Sequence, residues 1–509
     1  MKKLLLLLSL VWSSCATSQH KAMETKQPNI IMIYVDDMEL NEMGVFGCEM
    51  PTPHMDRIAK SGVKLDNCFV SAPVCTPSRY GQQTGRHASR CQSYLNDFPL
   101  DEPIFIRWNG DLEEGKEQTI AHLLKDNGYV TGFVGKWHNG QPESDRPYEE
   151  INIGKSIYDA DVNTYLQQLY ADQKAYIKQA AGYDFVENVY GNNLHAMGLP
   201  EDGQYHNQEW ITKAGVEFIE QNKDRPFFLS FNTTIPHVPS PLSSMKVDSR
   251  ITGIGVVDEV LDGRYMPSRE TMIQETLAQG YPEELAVIRW LDEGIGALYK
   301  KLDTLGLTEN TMIIFASDHG VTGKMTCYNS ASKVPAAISW PAKIQAGQSL
   351  TSLSSQIDFV PTILGATNIA TPNDYQVDGV NLMPALLGEG KIDRKFLYCE
   401  VVYQRSILTE DFHYVATRFP SEVQAKVTKE NRRAFTIEGK QEEDRYGAEA
   451  IYPNYYDDDQ LYDLKRDPKE QNNVIDQAKY RKQLEELQQY MHETVASFPH
   501  AFGEFGTIN

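Results

Sequence analysis

Asn29-Ile-Ile-Met-Ile-Tyr-Val-Asp-Asp37 is an unbroken apolar run that ends in two carboxylates. Other segments repeat the design: Thr311-Met-Ile-Ile-Phe-Ala-Ser317 leads into Asp318-His319-Gly320, and Tyr129-Val-Thr-Gly-Phe-Val-Gly135 into Lys136-Trp137-His138. Pro226-Phe-Phe-Leu-Ser-Phe231 runs on through Asn232-Thr-Thr-Ile-Pro to His237. Short apolar runs without polar alternation are the mark of strands buried on both faces, as in a parallel sheet covered by helices. Helical patterns lie between them. Thr119 to Asn127 closes at Gly128, and Pro282 to Leu305 carries Leu285, Ile288, Leu291, Ile295, Leu298 and Leu302 at helical spacing before Gly306. The alternation predicts an α/β fold, in which sites gather at the carboxyl ends of strands. All of the polar clusters above fall at such ends.

A lone Asp36-Asp37 pair reads equally well as a turn or helix cap, and Asp318-His319-Gly320 as a turn. Together they point to a hard-cation site, because adjacent carboxylates repel unless a metal neutralises them. A second stretch, Cys75-Thr-Pro-Ser-Arg79 followed by Thr84-Gly-Arg86, predicts a thiol at the mouth of a helix. Thr76 suits the N-cap and Pro77 the first helical position, which sets Cys75 just outside the positive helix end, near the cation Arg79. The alternative is a buried structural cysteine in a turn.

Cys-x-Pro-Ser-Arg followed by Thr-Gly-Arg resembles the signature of the type I sulfatases, of the alkaline-phosphatase-like superfamily. Gly135-Lys136-Trp137-His138 is similar to that family's Gly-Lys-x-His element, and Pro236-His237-Val238-Pro239 to its Pro-His-x-Pro element. Lys324, Tyr328 and Val334-Pro335 keep the family's spacings after Asp318, although the loop before Lys324 is shorter than usual and Lys333 stands where arginine is common. Gln460 to Asn473 resembles the closing element of its C-terminal subdomain, so the likeness runs from about Pro28 to Asn473, weakest over 140–205. That weak stretch reads as an insertion shaping the substrate pocket.

The resemblance implies a large, mixed, mainly parallel sheet sandwiched by helices (28–375) and a smaller C-terminal α+β subdomain with an antiparallel sheet (376–509). It implies that Cys75 is converted to formylglycine, so that a formylglycine-generating or anaerobic sulfatase-maturating enzyme is a partner. It implies one calcium held by Asp36, Asp37, Asp318, His319 and the modified Cys75. Many members carry Asn where this chain has His319, and since calcium prefers oxygen ligands, magnesium or manganese is the alternative. Arg79, Lys136 and Lys324 would hold the sulfate and the nucleophile. His237 would protonate the leaving alcohol, with Lys324 able to share that role, and His138 would act as base. The substrate class implied is a sulfated saccharide, algal such as ulvan or from host glycosaminoglycan, with Trp108, Trp137 and Trp210 as candidate sugar contacts. A phosphoesterase of the same superfamily would instead carry a Ser or Thr nucleophile and a two-metal ligand set. A non-catalytic carbohydrate-binding lipoprotein would have no reason to keep every one of these residues.

Residues 1–15 read as an export signal: Lys2 and Lys3, an apolar run to Trp12, then Ser13-Ser14-Cys15. The site resembles that of a bacterial lipoprotein with Cys15 lipidated and 16–27 as tether; ordinary cleavage after Ala16 is the other reading. Either way the chain is expected to be exported to the cell envelope, periplasmic or lipid-anchored, with no other membrane contact. Of the 7 cysteines, setting aside Cys15 and Cys75 leaves an odd number, so one disulfide is possible and none is required. The formal charge of −22 excludes nucleic acid as a partner. A sulfated substrate then needs a pocket made locally positive by a bound cation and by Lys, Arg and His.

Overall fold

The computed structural model describes residues 27–142, 154–432, 435 and 447–503. The expected signal segment and Cys15 lie outside the described residues. Among the described residues, no helix is long and apolar enough to cross a membrane.

An eight-stranded sheet forms the centre. Its strands are β1 (Asn29–Asp36), β2 (Val63–Leu65), β3 (Val130–Lys136), β4 (Phe185–Tyr190), β5 (Phe227–Pro236), β6 (Thr311–Ser317), β7 (Ala336–Ser339) and β8 (Gln348–Leu350), in the spatial order β8-β2-β7-β6-β1-β5-β3-β4. From β6 to β4 all pairings are parallel. β7 runs antiparallel to β6 and β2, which makes the sheet mixed at one edge.

Every residue of β1 is buried, as its apolar run requires. Ile31, Ile33 and Val35 face one core, built with helices α1 (Pro53–Lys60), α5 (Gln208–Gln221) and α6 (Ala286–Leu305). Ile30, Met32 and Tyr34 face the other, built with α2 (Cys75–Thr84), α3 (Ile120–Asp126) and α7 (Phe359–Thr367). Each buried aliphatic side chain contributes roughly 1.5–3 kcal/mol, so the strand cannot slide and the point where Asp36 and Asp37 emerge is set. The predicted helix ends hold: Thr119 caps α3 by accepting from the His122 amide, and α6 stops at Gly306 with φ 66°.

Residues 140–205 are more than an insertion. Helix α4 (Ala160–Ala181) packs on the cores, and β4 completes the sheet beside β3. Among the described residues of this stretch, Gly140, Gln141 and the turn 191–196 line the cleft described below.

The second unit is a four-stranded antiparallel sheet of β9 (Leu397–Val401), β10 (Gln404–Leu408), β11 (Phe412–Thr417) and β12 (Asp459–Asp463), packed on α8 (Arg481–Val495) through Leu484, Leu487 and Met491. Tyr375, Leu382, Met383 and Leu386 belong to the large core, so residues 376–386, placed in the second domain on sequence grounds, pack with the first. The two units are tied together: Ile106 and Val402 form a β-bridge, Tyr328 Oη donates to Gln460 Oε1 at 2.7 Å, and the Asn329 amide donates to Glu470 Oε2 at 2.9 Å. Cys48, Cys68, Cys75, Cys91, Cys327 and Cys399 are all free thiols.

Candidate active site

The carboxyl ends of β6, β1, β5 and β3 bring the expected residues together. Asp37 and His138 both take φ of 62°, a left-handed turn just past their strands. Such a conformation costs on the order of 1–3 kcal/mol in a residue other than glycine, and here it turns both side chains back toward one centre. Gly135, with φ 86°, sits so close to the Asn232 carbonyl that a Cβ there would lie 1.6 Å from the oxygen.

Helix α2 delivers Cys75, with one correction to the sequence reading. Its N-cap is Val74, not Thr76, because the Ser78 amide already donates to the Val74 carbonyl at 3.1 Å. Cys75 is therefore the first helical residue rather than lying outside the helix. Asn139 holds this start in place by donating to the Thr76 carbonyl at 2.9 Å and to that of Gly110 at 2.8 Å.

Arg79, one turn on, is 1% exposed and bridges two carboxylates: Nη2 donates to Asp36 Oδ1 at 3.2 Å and to Asp318 Oδ2 at 3.0 Å. Lys136 Nζ donates to Asp36 Oδ2 and Asn193 Oδ1, both at 2.6 Å. Lys324 Nζ donates to Asp37 Oδ1 at 2.8 Å and lies 3.5 Å from Cys75 Sγ. His237 Nε2 lies 3.6 Å from Asp37 Oδ2, while its Nδ1 bonds the Val238 carbonyl. His138 is 7% exposed, its Nδ1 has no hydrogen-bond partner, and its ring stacks on Trp108 at 6.1 Å and 20°.

Electrostatics follow from crowding. Burial by itself would raise the Asp36 carboxyl, but Lys136, His237 and Arg79 outweigh it and hold it well below the usual range. Lys324 and the neighbouring histidines likewise overcome burial at Asp37. Asp318 goes the other way: burial, and then Asp36, push it up to about 8. Burial pushes the Cys75 thiol up to about 12 and takes His237 down to about 4 and His319 to about 3. His138 is held well below its ordinary value by burial and by Lys136.

These groups can accept a cation. His319 Nδ1 faces the Gly320 carbonyl at 3.0 Å and must donate to it. Its Nε2 lone pair then points at Cys75 Sγ (3.2 Å), Asp37 Oδ1 (3.3 Å) and Asp318 Oδ1 (3.7 Å). A lone pair and carboxylate oxygens converging on one point repel, and Asp36, Asp37 and Asp318 are close enough to share an ion. The donor set fits a hard divalent cation.

Above the centre opens a cleft of about 370 Å³, lined by Arg107, Trp108, Asp111, His138, Asn192, Asn193, His195, His237 and Lys324 among others. Trp108 reaches it as expected. Trp137 (1% exposed) and Trp210 (3% exposed) do not. Trp137 packs edge-on against Phe133 and Trp210 against Tyr190, inside the two cores. Sequence reading missed Asn193, Asn232, Ser78 and Asn139. Asn232 accepts from Arg79 at 3.4 Å, and Ser78 Oγ donates to the Asp318 carbonyl at 2.6 Å.

Comparison with known proteins agrees with this geometry. The family model described as Sulfatase matches residues 28–369. An N-acetylglucosamine-6-O-sulfatase of Bacteroides thetaiotaomicron is 27% identical over 96% of this chain and 90% of the relative. An N-acetylgalactosamine-6-O-sulfatase of the same organism is 25% identical over 89% of this chain and 90% of its own. A solved structure in complex with its substrate D-glucosamine-2-N,6-O-disulfate superposes with a TM-score of 0.60 at 22% identity, over 93% of this chain and 98% of that one. Fold, family match and strand-end chemistry converge: the chain belongs to the sulfatase family, and it is a sulfuric ester hydrolase.

Proposed function

We propose that this sulfatase hydrolyses sulfate esters on saccharides released from a sulfated polysaccharide, with 6-O-sulfated N-acetylhexosamines the leading class. The observation that carries the reading is the buried Cys75, at the start of α2 and between His319 and Lys324, the latter lining the cleft. The names of the two Bacteroides relatives, and the disulfated glucosamine bound by the structural neighbour, support the choice of sugar. Export through residues 1–15 to the cell envelope, lipid-anchored at Cys15 or periplasmic, belongs to the same proposal.

As a thiol with its pKa pushed up to about 12, Cys75 is protonated at neutral pH and a poor nucleophile. Its conversion to formylglycine by a maturating enzyme supplies, as the aldehyde hydrate, the oxygen nucleophile the site otherwise lacks. A calcium ion held by Asp36, Asp37, Asp318, His319 and the side chain at 75 supplies charge neutralisation at the sulfate oxygens. The remaining work is done by this chain's own groups. The Lys136 and Lys324 ammonium groups, fixed by Asp36, Asn193 and Asp37, orient the sulfate and stabilise charge as it builds. Arg79 anchors Asp36 and Asp318 from beneath. His138 is neutral with an unshared nitrogen, which suits it as a base. His237 is neutral before substrate binds; an entering sulfate raises its pKa, and Nε2 then carries the proton the leaving alcohol needs.

The test has a chemical and an activity arm. Mass analysis of the tryptic peptide Leu65–Arg79 from active enzyme should show the Cys75 thiol converted to an aldehyde, sulfur replaced by oxygen with the loss of two hydrogens, and C75A should release no sulfate. Sulfate release should be highest among 6-O-sulfated N-acetylhexosamines in a panel of sulfated saccharides, and should fall on chelation and return with calcium. A fully active enzyme carrying an intact thiol would overturn the nucleophile. Release confined to aryl or steryl sulfates would overturn the substrate class.

A further inference from the structure

The cleft wall opposite in charge to the lysines is built around Asp111, which no part of the mechanism above uses. Its backbone is pinned on every side. The Asp111 amide bonds Ser93 Oγ at 3.3 Å, its carbonyl accepts from Cys91 Sγ at 3.3 Å, and the next amide, Leu112, donates to the Asn139 carbonyl at 3.1 Å. That last bond sets Asp111 beside His138. The Asp111 carboxylate, in contrast, has no hydrogen-bond or ion-pair partner among the described residues. Partial burial, with Asp97 and Glu113 nearby, raises it to about 6. A second group at the same wall is unpaired: His138 is more than nine-tenths buried, and its Nδ1 bonds nothing. Trp108, stacked on His138 and carrying the Arg107 guanidinium 4.8 Å from its ring centre, stiffens the wall between them.

We propose that Asp111 is the specificity residue for the sugar: its carboxylate accepts hydrogen bonds from adjacent ring hydroxyls of an uncharged sugar unit bearing or adjoining the sulfate. This rests on the saccharide reading above and narrows it. A half-buried carboxylate needs donors, and a carbohydrate offers paired donors at the right separation. The same charge disfavours a uronate, or a second sulfate, at that position. The sulfate itself goes to Lys136 and Lys324, so the cleft sorts the two ends of one ligand by charge.

The experiment is a double-mutant cycle between protein and substrate. Wild type and D111A are assayed on a 6-O-sulfated N-acetylhexosamine and on analogues lacking one ring hydroxyl at a time. For one or two adjacent positions, wild type should lose roughly 10- to 100-fold in kcat/KM on removal of the hydroxyl, whereas D111A should lose less than about threefold. D111N should lose the discrimination between a neutral and a uronate neighbour while keeping the wild-type melting temperature. Equal losses in wild type and D111A at every position overturn the proposal. Absence of release from every saccharide by the wild-type enzyme is a different result, and it would overturn the underlying reading and this one with it.

Discussion

Replacing Lys136 with Met removes one ammonium from a buried network and keeps the side-chain length. Lys136 Nζ is 2.6 Å from both Asp36 Oδ2 and Asn193 Oδ1, and both charged side chains are 1% exposed. Removing one partner of such a pair is destabilising by about 3–5 kcal/mol, because the other charge stays buried without compensation. Asp36 keeps one contact, to Arg79 at 3.2 Å, but that guanidinium already serves Asp318 at 3.0 Å. The lower end of the range, about 3 kcal/mol, is therefore expected. Urea unfolding followed by tryptophan fluorescence at pH 7 reads the loss as a lower midpoint at unchanged slope. D36N/K136M, which removes both charges, should lie closer to wild type than K136M does. Sulfatase activity should fall at least 100-fold in K136M. A loss below about 1 kcal/mol, or a double variant no more stable than the single one, would refute the reasoning.

G135A should lose at least about 3 kcal/mol, since it adds left-handed strain to a collision with the Asn232 carbonyl; a wild-type melting temperature would show that β3 and β5 separate more easily than their pairing implies. His206 supplies a pH test. It is fully buried, bonded to Thr234 Oγ1 and the Pro239 carbonyl, and burial takes its pKa down to about 3. A histidine depressed in the fold contributes stability above its unfolded value near 6.5 and loses it as pH falls toward 3, by up to about 1.4 kcal/mol per pH unit. H206Q should be less stable at pH 7 yet show a shallower decline between pH 6 and 4 by circular dichroism. Parallel pH profiles for the two proteins would contradict this.

Strand ends were readable because their signal is local. An apolar run that stops at Asp36-Asp37 or Asp318-His319 says both what is buried and what emerges. Asn193 and Asn232 carry no such signal, as asparagine is an ordinary turn residue, and only the arrival of Lys136 and Arg79 from distant segments makes them part of the site. Trp137 and Trp210 look in sequence like Trp108; Trp137 just past β3 and Trp210 in the first turn of α5 each face a core, which composition does not show. The start of α2 lies two residues before the expected one for a similar reason. Thr76-Pro77 is a good local cap, but Asn139 claims the Thr76 carbonyl from another element. β4 was hidden because Glu187 and Asn188 interrupt its apolar run, with Asn188 at φ 51° where the pairing with β3 slips.

Cys75 is 0% exposed, and every residue of α2 is buried with it. Any enzyme that acts on this thiol has to reach it before the chain closes around it. Closure waits on the carboxyl terminus, because the loop that carries Lys324 is held down through Tyr328 and Asn329 by Gln460 and Glu470. Some 390 residues separate Cys75 from those anchors, so the thiol stays reachable at least for the time the ribosome takes to deliver them, about 20–80 s at ordinary rates of synthesis. The proposed conversion of Cys75 would thus race folding, over a length written into the distance between α2 and β12.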